Sequence, residues 1–397
     1  MHPQRSGSPR RDPQPDAQPD RTLPPVPAPI ATVREREALI ARLADTPKIA
    51  FDTEFHPEGS YLPQLMLLQL ATDEFAATLD PLAVDPAPLV EALCAPGRTL
   101  VLHAAQADLA ILHSRFGRLP ARVFDTQLAA AFAGHRLQES LATLVHQRLG
   151  LEVSKGQRFT DWSRRPLSER QIRYALGDVQ PLLALARDLE DELRRRGRLA
   201  WFEEDAARLT AAATHERDPL ELARRIRGAE RLDPRAFAVL VELVATRERL
   251  AETRDVPRSR IASNAVLLEL ARRQPTDRKA LTATGGLPNA VVRRHGEALL
   301  AAIARGRSRD AHSLPAPPPP RRVTDPRLDA MRAVVRTLAA SLDLPAELLA
   351  NAATLRAPFA SPIPDRAAFA RALGLTGWRA ELLLEPLWRS YTETPAH

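Results

Sequence analysis

The chain has a single cysteine, Cys94, in 397 residues. One thiol excludes an intramolecular disulfide and any zinc site built from several cysteines, and it suits a reducing compartment. Lysine is almost as scarce. Lys48, Lys155 and Lys279 are the only ones, so arginine carries the net charge of +7. No apolar run is long enough to span a bilayer. Residues 1–29, rich in Pro, Arg, Asp and Gln, lack the apolar core of a secretory signal. The expectation is a cytoplasmic protein with no membrane contact. A basic balance favours polyanionic partners, and arginine forks suit phosphate. A merely solvated arginine surface explains the composition equally well.

What the chain does contain is three short acidic stretches. Asp52 and Glu54 lie two apart in Phe51-Asp52-Thr53-Glu54-Phe55, within an apolar run. A strand has a side-chain period of two, so both carboxylates face the same way. Two such groups repel each other in a partly dry site, and a hard cation such as Mg2+ or Mn2+ removes that penalty. The alternative is a surface strand edge with two solvated acids. Asp108 follows the apolar run 99–103 near the start of a helix, where the helix dipole favours an acid with or without a metal. Tyr174 and Asp178 are four apart on a helix expected over 168–197, with Ser168 as its N-cap and Pro181 bending it beyond Asp178. Phenol and carboxylate then share one face. Each stretch alone says little. Together, four carboxylates and a tyrosine in this order suit a two-metal site that cuts phosphodiester bonds.

The three stretches resemble the exonuclease motifs of the DEDD superfamily, and Tyr174 in the last one resembles its DEDDy branch. Further runs resemble ribonuclease D: Tyr61-Leu62-Pro63-Gln64-Leu65, Leu68-Gln69-Leu70, Phe124-Asp125-Thr126-Gln127 and Asp161-Trp162-Ser163-Arg164-Arg165-Pro166-Leu167. The resemblance implies that Asp52, Glu54, Asp108 and Asp178 bind two divalent ions, Mg2+ or Mn2+. It implies that Tyr174 orients the attacking water. It further implies stepwise 3′→5′ hydrolysis of structured RNA such as tRNA precursors, releasing nucleoside 5′-monophosphates, by a monomer with no obligate protein partner. Thr53, Phe55, Gln69 and Trp162 are candidate substrate contacts, with His56 nearby. Trp162 would offer a stacking face to a base, or would be a core tryptophan. Phe124-Asp125-Thr126 repeats Phe51-Asp52-Thr53 without a second acid, so Asp125 reads as a supporting group and His103 as a half-buried histidine. The alternatives are a DNA 3′→5′ exonuclease, because related proofreading domains share the acids, and a non-catalytic RNA-binding protein, which should lack metal ligands.

The resemblance implies an α/β ribonuclease-H-like (DnaQ-like) exonuclease domain followed by two all-α HRDC helical bundles. Residues 1–31 read as a disordered Pro-rich tail and 32–208 as the exonuclease domain. Strands are expected at 48–55, 65–71, 76–80 and 99–103, the second pairing with the first as a hairpin. Helices are expected near 87–94, 105–116, 126–133, 138–149 and 168–197. The loop 152–167, with Lys155, Arg158, Arg164 and Arg165, is expected to guide a phosphate backbone. Residues 216–306 resemble an HRDC module through Arg247-Glu248 and Asp255-Val256-Pro257-Arg258, although Thr246 and Ser263-Asn264 depart from the usual pattern. A Pro-rich linker is expected at 307–325, including Pro315 and Pro317-Pro318-Pro319-Pro320. Residues 326–397 resemble a second, divergent module through Leu344-Pro345-Ala346-Glu347-Leu348-Leu349-Ala350.

Overall fold

The computed structural model describes residues 26–56, 59–153, 160–215, 217–310, 313, 317–319 and 322–395. Most of the expected tail, together with Lys155, Arg158, Pro315 and Pro320, lies outside the described residues.

Five strands form one mixed sheet: β1 (Lys48–His56), β2 (Gln64–Ala71), β3 (Ala76–Leu79), β4 (Thr99–Leu102) and β5 (Arg122–Asp125), in the order β3-β2-β1-β4-β5. β1 pairs antiparallel with β2, and β2 with β3, as short connections allow. β4 and β5 run parallel to β1 and need crossovers. These are helices α2 (Ala87–Leu93) and α3 (Gln106–Phe116), while α1 (Val33–Arg42) precedes the sheet behind a Thr32/Glu35 capping box. Seven of the eight residues of β2 are buried, which is why Gln-Leu-Met-Leu-Leu-Gln-Leu-Ala reads as nearly continuous apolar sequence. α4 (Thr126–Phe132), α5 (Leu141–Leu149), α6 (Glu169–Val179), α7 (Leu182–Arg195) and α8 (Leu199–His215) complete the sheet domain.

The helix expected over 168–197 is two helices, because Pro181 lacks an N–H and stands at the N-cap of α7. α1, β5 and α8 were not anticipated. Arg122-Val123-Phe124-Asp125 holds two apolar residues and is too short to show a period.

The first helical unit contains α9 (Pro219–Arg225), α10 (Pro234–Thr253), α11 (Arg258–Ile261), α12 (Asn264–Arg273), α13 (Arg278–Ala283) and α14 (Asn289–Ser308). It has its own core, including Phe237, Leu240, Val244, Leu267, Leu299 and Ile303. The two departures from the usual pattern are absorbed locally. Thr246 is buried and accepts from Arg305 at 3.2 Å, and Asn264 accepts from Arg247 at 2.6 Å. The unit meets the sheet domain at Tyr61. The Tyr61 N–H donates to Asp255 at 3.0 Å, its hydroxyl donates to Glu248 at 3.0 Å, and Arg217 donates to that hydroxyl.

The second helical unit contains α15 (Pro326–Leu342), α16 (Ala346–Leu349), α17 (Ala352–Arg356), α18 (Arg366–Leu373) and α19 (Gly377–Glu393). It shares one continuous core with the sheet domain, in which Met331, Phe369 and Leu383 join Phe132, Leu189 and Phe202. Trp378 stacks on Trp201 with ring centroids 4.9 Å apart. Arg379 grips the buried Asp205 with two bonds of 2.5 and 2.6 Å.

Candidate active site

The β1–β2 register sets the first half of the site. Asp52 stands opposite Gln69. Cross-strand partners lie on the same face, and the Gln69 amide donates to Asp52 at 2.6 Å. The register slips only after Glu54, where β2 carries Met66 as an extra residue. Asp52 and Glu54 therefore keep the shared face that their spacing implies. Arg165 fastens this bulge. It donates to the Met66 carbonyl at 2.7 Å and to both oxygens of Asp80, and it donates to the carbonyls of Trp162 and Arg164. All five of its donors are committed within the fold. Arg165 thus does not guide a phosphate backbone as expected, while Arg164 is exposed beside Asp161.

α6 supplies the other half. Ser168 and Gln171 form a capping box that fixes where the helix starts, and Tyr174 and Asp178 then meet one turn apart with the phenol bonded to the carboxylate. Asp52, Glu54 and Asp178 converge, each offering an oxygen within 4.8 Å of the others. Burial comes first in what this does to their acidity. It pushes Asp52 up to about 6, with Gln69 pulling the other way. Asp178 rises to about 7 through burial and the charge of Asp52. Glu54 rises to about 9 through burial and the charges of Asp52, Asp178 and Asp108. Burial and the same acids also raise the Tyr174 phenol.

Asp108 stands beside this trio rather than in it. It is 5% exposed and accepts a 2.5 Å bond from the Thr53 hydroxyl. Burial and the charge of Asp52 raise its carboxyl well above the usual range. Asp125 decides where the helix bearing Asp108 starts. Its buried carboxylate accepts from Gln127 and Leu128 at the start of α4, and from Ala104 and Ala105 just before α3. Ala104 holds the left-handed conformation, φ 59, which a non-glycine residue adopts only under such restraint. His103 is half-buried, and its Nδ1 lies 3.0 Å from the Thr126 hydroxyl.

Three of the expected substrate contacts are corrected. Gln69 is 0% exposed and Trp162 is 4% exposed, so neither presents a free face to a nucleotide. The Trp162 ring packs against Tyr174 at 6.3 Å. Thr53 is buried and turned to Asp108. All three act on site residues rather than in the open cleft. Phe55 is half-buried against the core. Gln69 had a signal in the sequence, as a polar residue within a nearly apolar strand, whereas Thr53 lies between two acids and had none; the partner of neither was legible.

Comparison with known proteins gives this geometry its context. Residues 27–194 match the model of a 3′-5′ exonuclease family, and residues 236–303 match the HRDC domain. Ribonuclease D of Granulibacter bethesdensis is 36% identical over 90% of this chain and 91% of its own length. The chain belongs to the ribonuclease D family. Ribonuclease D of Pseudomonas paraeruginosa is 35% identical over 86% of this chain and 91% of its own. The crystal structure of Escherichia coli RNase D, described as an exoribonuclease involved in structured RNA processing, superposes with a TM-score of 0.76 at 30% identity, covering 92% of this chain and 98% of that one. The protein is a 3′→5′ exoribonuclease carrying an HRDC domain. Among the described residues no helix is long and apolar enough to cross a membrane.

Proposed function

We propose that Asp52, Glu54, Asp108 and Asp178 hold two divalent cations, Mg2+ or Mn2+, and that the protein trims the 3′ ends of structured RNAs, tRNA precursors among them, as a monomer. The observation that carries this reading is the convergence of Asp52, Glu54 and Asp178 within 4.8 Å, with every carboxyl raised. Such a cluster is costly when ionised and bare, and hard cations fit its oxygen donors. When bound, the cations supply charge stabilisation and an activated water near neutral pH. The chain's own residues preset the donors. Gln69 orients Asp52, and Thr53 orients Asp108. Tyr174, bonded to Asp178 and backed by Trp162, holds the attacking water by a hydrogen bond. Its raised pKa keeps it neutral, so it serves as a positioning group and not as a base. Phe55 and His56, at the end of β1, are the side chains proposed to meet the terminal nucleotide.

The test is a 3′-labelled, tRNA-like RNA with a short 3′ tail, run beside single-stranded DNA. The expected result is metal-dependent release of nucleoside 5′-monophosphates from RNA, lost in Asp178→Asn. Preference for DNA, or undiminished release by Asp178→Asn, refutes the reading.

We also infer that residues 326–395 form a second, divergent HRDC-like bundle, because one structural pattern recurs at a constant offset. α10 and α15 are each followed within two residues by an aspartate in the left-handed conformation, Asp255 and Asp343. Each aspartate is followed by an apolar residue, a proline and a four-residue helix. An extended alanine comes next, Ala262 or Ala350, and then a capping Ser263 or Asn351. Both corner aspartates reach the exonuclease part. Asp255 accepts from Tyr61, and Asp343 accepts from Arg196 at 2.8 Å. Gly134 makes room for the second contact, since a Cβ there would sit 2.7 Å from the Asp343 carboxylate. Removing residues 326–397 is expected to leave no folded exonuclease domain, judged by circular dichroism. A stable, active truncation refutes the shared-core reading.

A further inference from the structure

A cavity of about 560 Å³ opens on the first helical unit, and none of the active-site residues lines it. Its walls carry four arginines from three segments. Arg227 and Arg231 come from the turn between α9 and α10, Arg272 comes from α12, and Arg322 comes from the segment leading into α15. Gly228 makes this gathering possible. Its φ is 101, and a Cβ there would lie 2.7 Å from the Leu268 side chain and 3.7 Å from the Arg272 guanidinium. Without a side chain, the turn presses directly onto α12. Leu268 supplies an apolar wall.

The charges at this cavity are poorly matched. Glu230 is its one acidic lining residue; it accepts from the Gly228 N–H at 2.8 Å and stands 3.9 Å from Arg231. Glu269 is 3.8 Å from Arg272. Both ion pairs are long. Among the described residues, neither Arg227 nor Arg322 has a carboxylate partner. Guanidinium groups gathered around one cavity repel one another, and a bound anion relieves that. Fork-shaped donors favour phosphate oxygens, and the apolar wall favours an anion with an organic body.

We propose that this cavity is a phosphate-binding subsite that holds the backbone of the RNA substrate upstream of the 3′ end being trimmed. The proposal rests on the exoribonuclease activity and extends it to a second point of contact. The logic is electrostatic. The acid cluster and the cations it would hold act on the 3′-terminal phosphodiester, so affinity for the body of the RNA must come from elsewhere. The unit that carries the cavity is fastened beside the catalytic sheet through Tyr61, just ahead of β2.

The test compares wild type with the double variant Arg227→Ala/Arg272→Ala on a structured RNA with a 3′ tail and on a trinucleotide, which has no upstream body to hold. A third arm measures inhibition of trinucleotide turnover by adenosine 5′-monophosphate. For the structured RNA, KM is expected to rise roughly tenfold at 0.1 M salt. The slope of log KM against log salt should shrink by about 1.4, at ~0.7 per lost contact to single-stranded phosphate. Turnover of the trinucleotide should stay unchanged, which also shows that the variant is folded. Unchanged KM and salt slope on structured RNA overturn the proposal. Relief of mononucleotide inhibition with no change on structured RNA also overturns it, because the phosphate would then come from a free nucleotide. Failure of wild type to degrade either RNA would instead sink the exoribonuclease reading.

Discussion

Removing the divalent metal should make stability fall as pH rises. The metal-free cluster has three carboxyls whose folded-state values lie above their ordinary ones. Asp52 moves from 3.8 to about 6, Asp178 from 3.8 to about 7 and Glu54 from 4.5 to about 9. A raised folded-state value means that the folded chain binds protons more tightly than the unfolded chain. The stabilisation is therefore complete below about pH 4 and is lost progressively as pH climbs through 6, 7 and 9. For Asp178 alone, the displacement corresponds to roughly 4 kcal/mol at most, at about 1.4 kcal/mol per pH unit. About two of those pH units lie between pH 5 and 8.5, or roughly 3 kcal/mol, so at ~2–4 °C per kcal/mol Asp178 alone gives a fall on the order of 5–10 °C across that window. Melting curves in chelator, and in Mg2+ or Mn2+, at pH 5, 7 and 8.5 measure it. Metal should add little at pH 5 and most at pH 8.5, because it binds the ionised cluster. Asp178→Asn should flatten the metal-free slope and remove most of the increment from metal. A metal-free melting temperature that is flat or rises across this window refutes the reasoning. So does a metal increment as large at pH 5 as at pH 8.5.

Gln69→Leu removes the side-chain amide that donates to Asp52 while keeping an apolar volume in a buried position. The metal concentration for half-maximal activity should rise about 10–100-fold, with activity recovering at saturating metal. Tyr174→Phe should lower kcat by about 10²-fold and leave KM and the melting temperature nearly unchanged, as steady-state kinetics and calorimetry would show. Asp205→Ala strands the Arg379 guanidinium inside the joint between the second helical unit and the exonuclease part. It should cost about 3–5 kcal/mol in chemical denaturation.

The two helical units are attached in physically different ways. The first keeps a private core and touches the exonuclease part through a buried polar hub, in which Glu248 accepts from Tyr61 and Arg258 while Arg247 holds its other oxygen. The second has no core of its own and is welded to Phe132, Trp201 and Phe202. Polar hubs lose strength when one partner is removed, whereas a shared apolar core fails as a whole.

The sequence by itself determined the shared face of Asp52 and Glu54 and the shared face of Tyr174 and Asp178, three of whose acids the fold brings within 4.8 Å. These follow from the periods of strand and helix, which are local properties. It also determined the hairpin of β1 with β2 and the ribonuclease D family, while at Pro181 it implied a bend where the structure has two separate helices. Tertiary structure alone decided the rest. The pairing of Gln69 with Asp52, and of Thr53 with Asp108, depends on strand register and on where α3 begins. Arg165 looked free for phosphate, yet its donors are taken by Asp80 and three carbonyls from distant or neighbouring positions. Asp125 looked like a copy of Asp52 and is instead the clamp that sets the start of two helices. In each case the deciding partner is a backbone group or a side chain brought close only by folding. Local periodicity carries no information about such a partner.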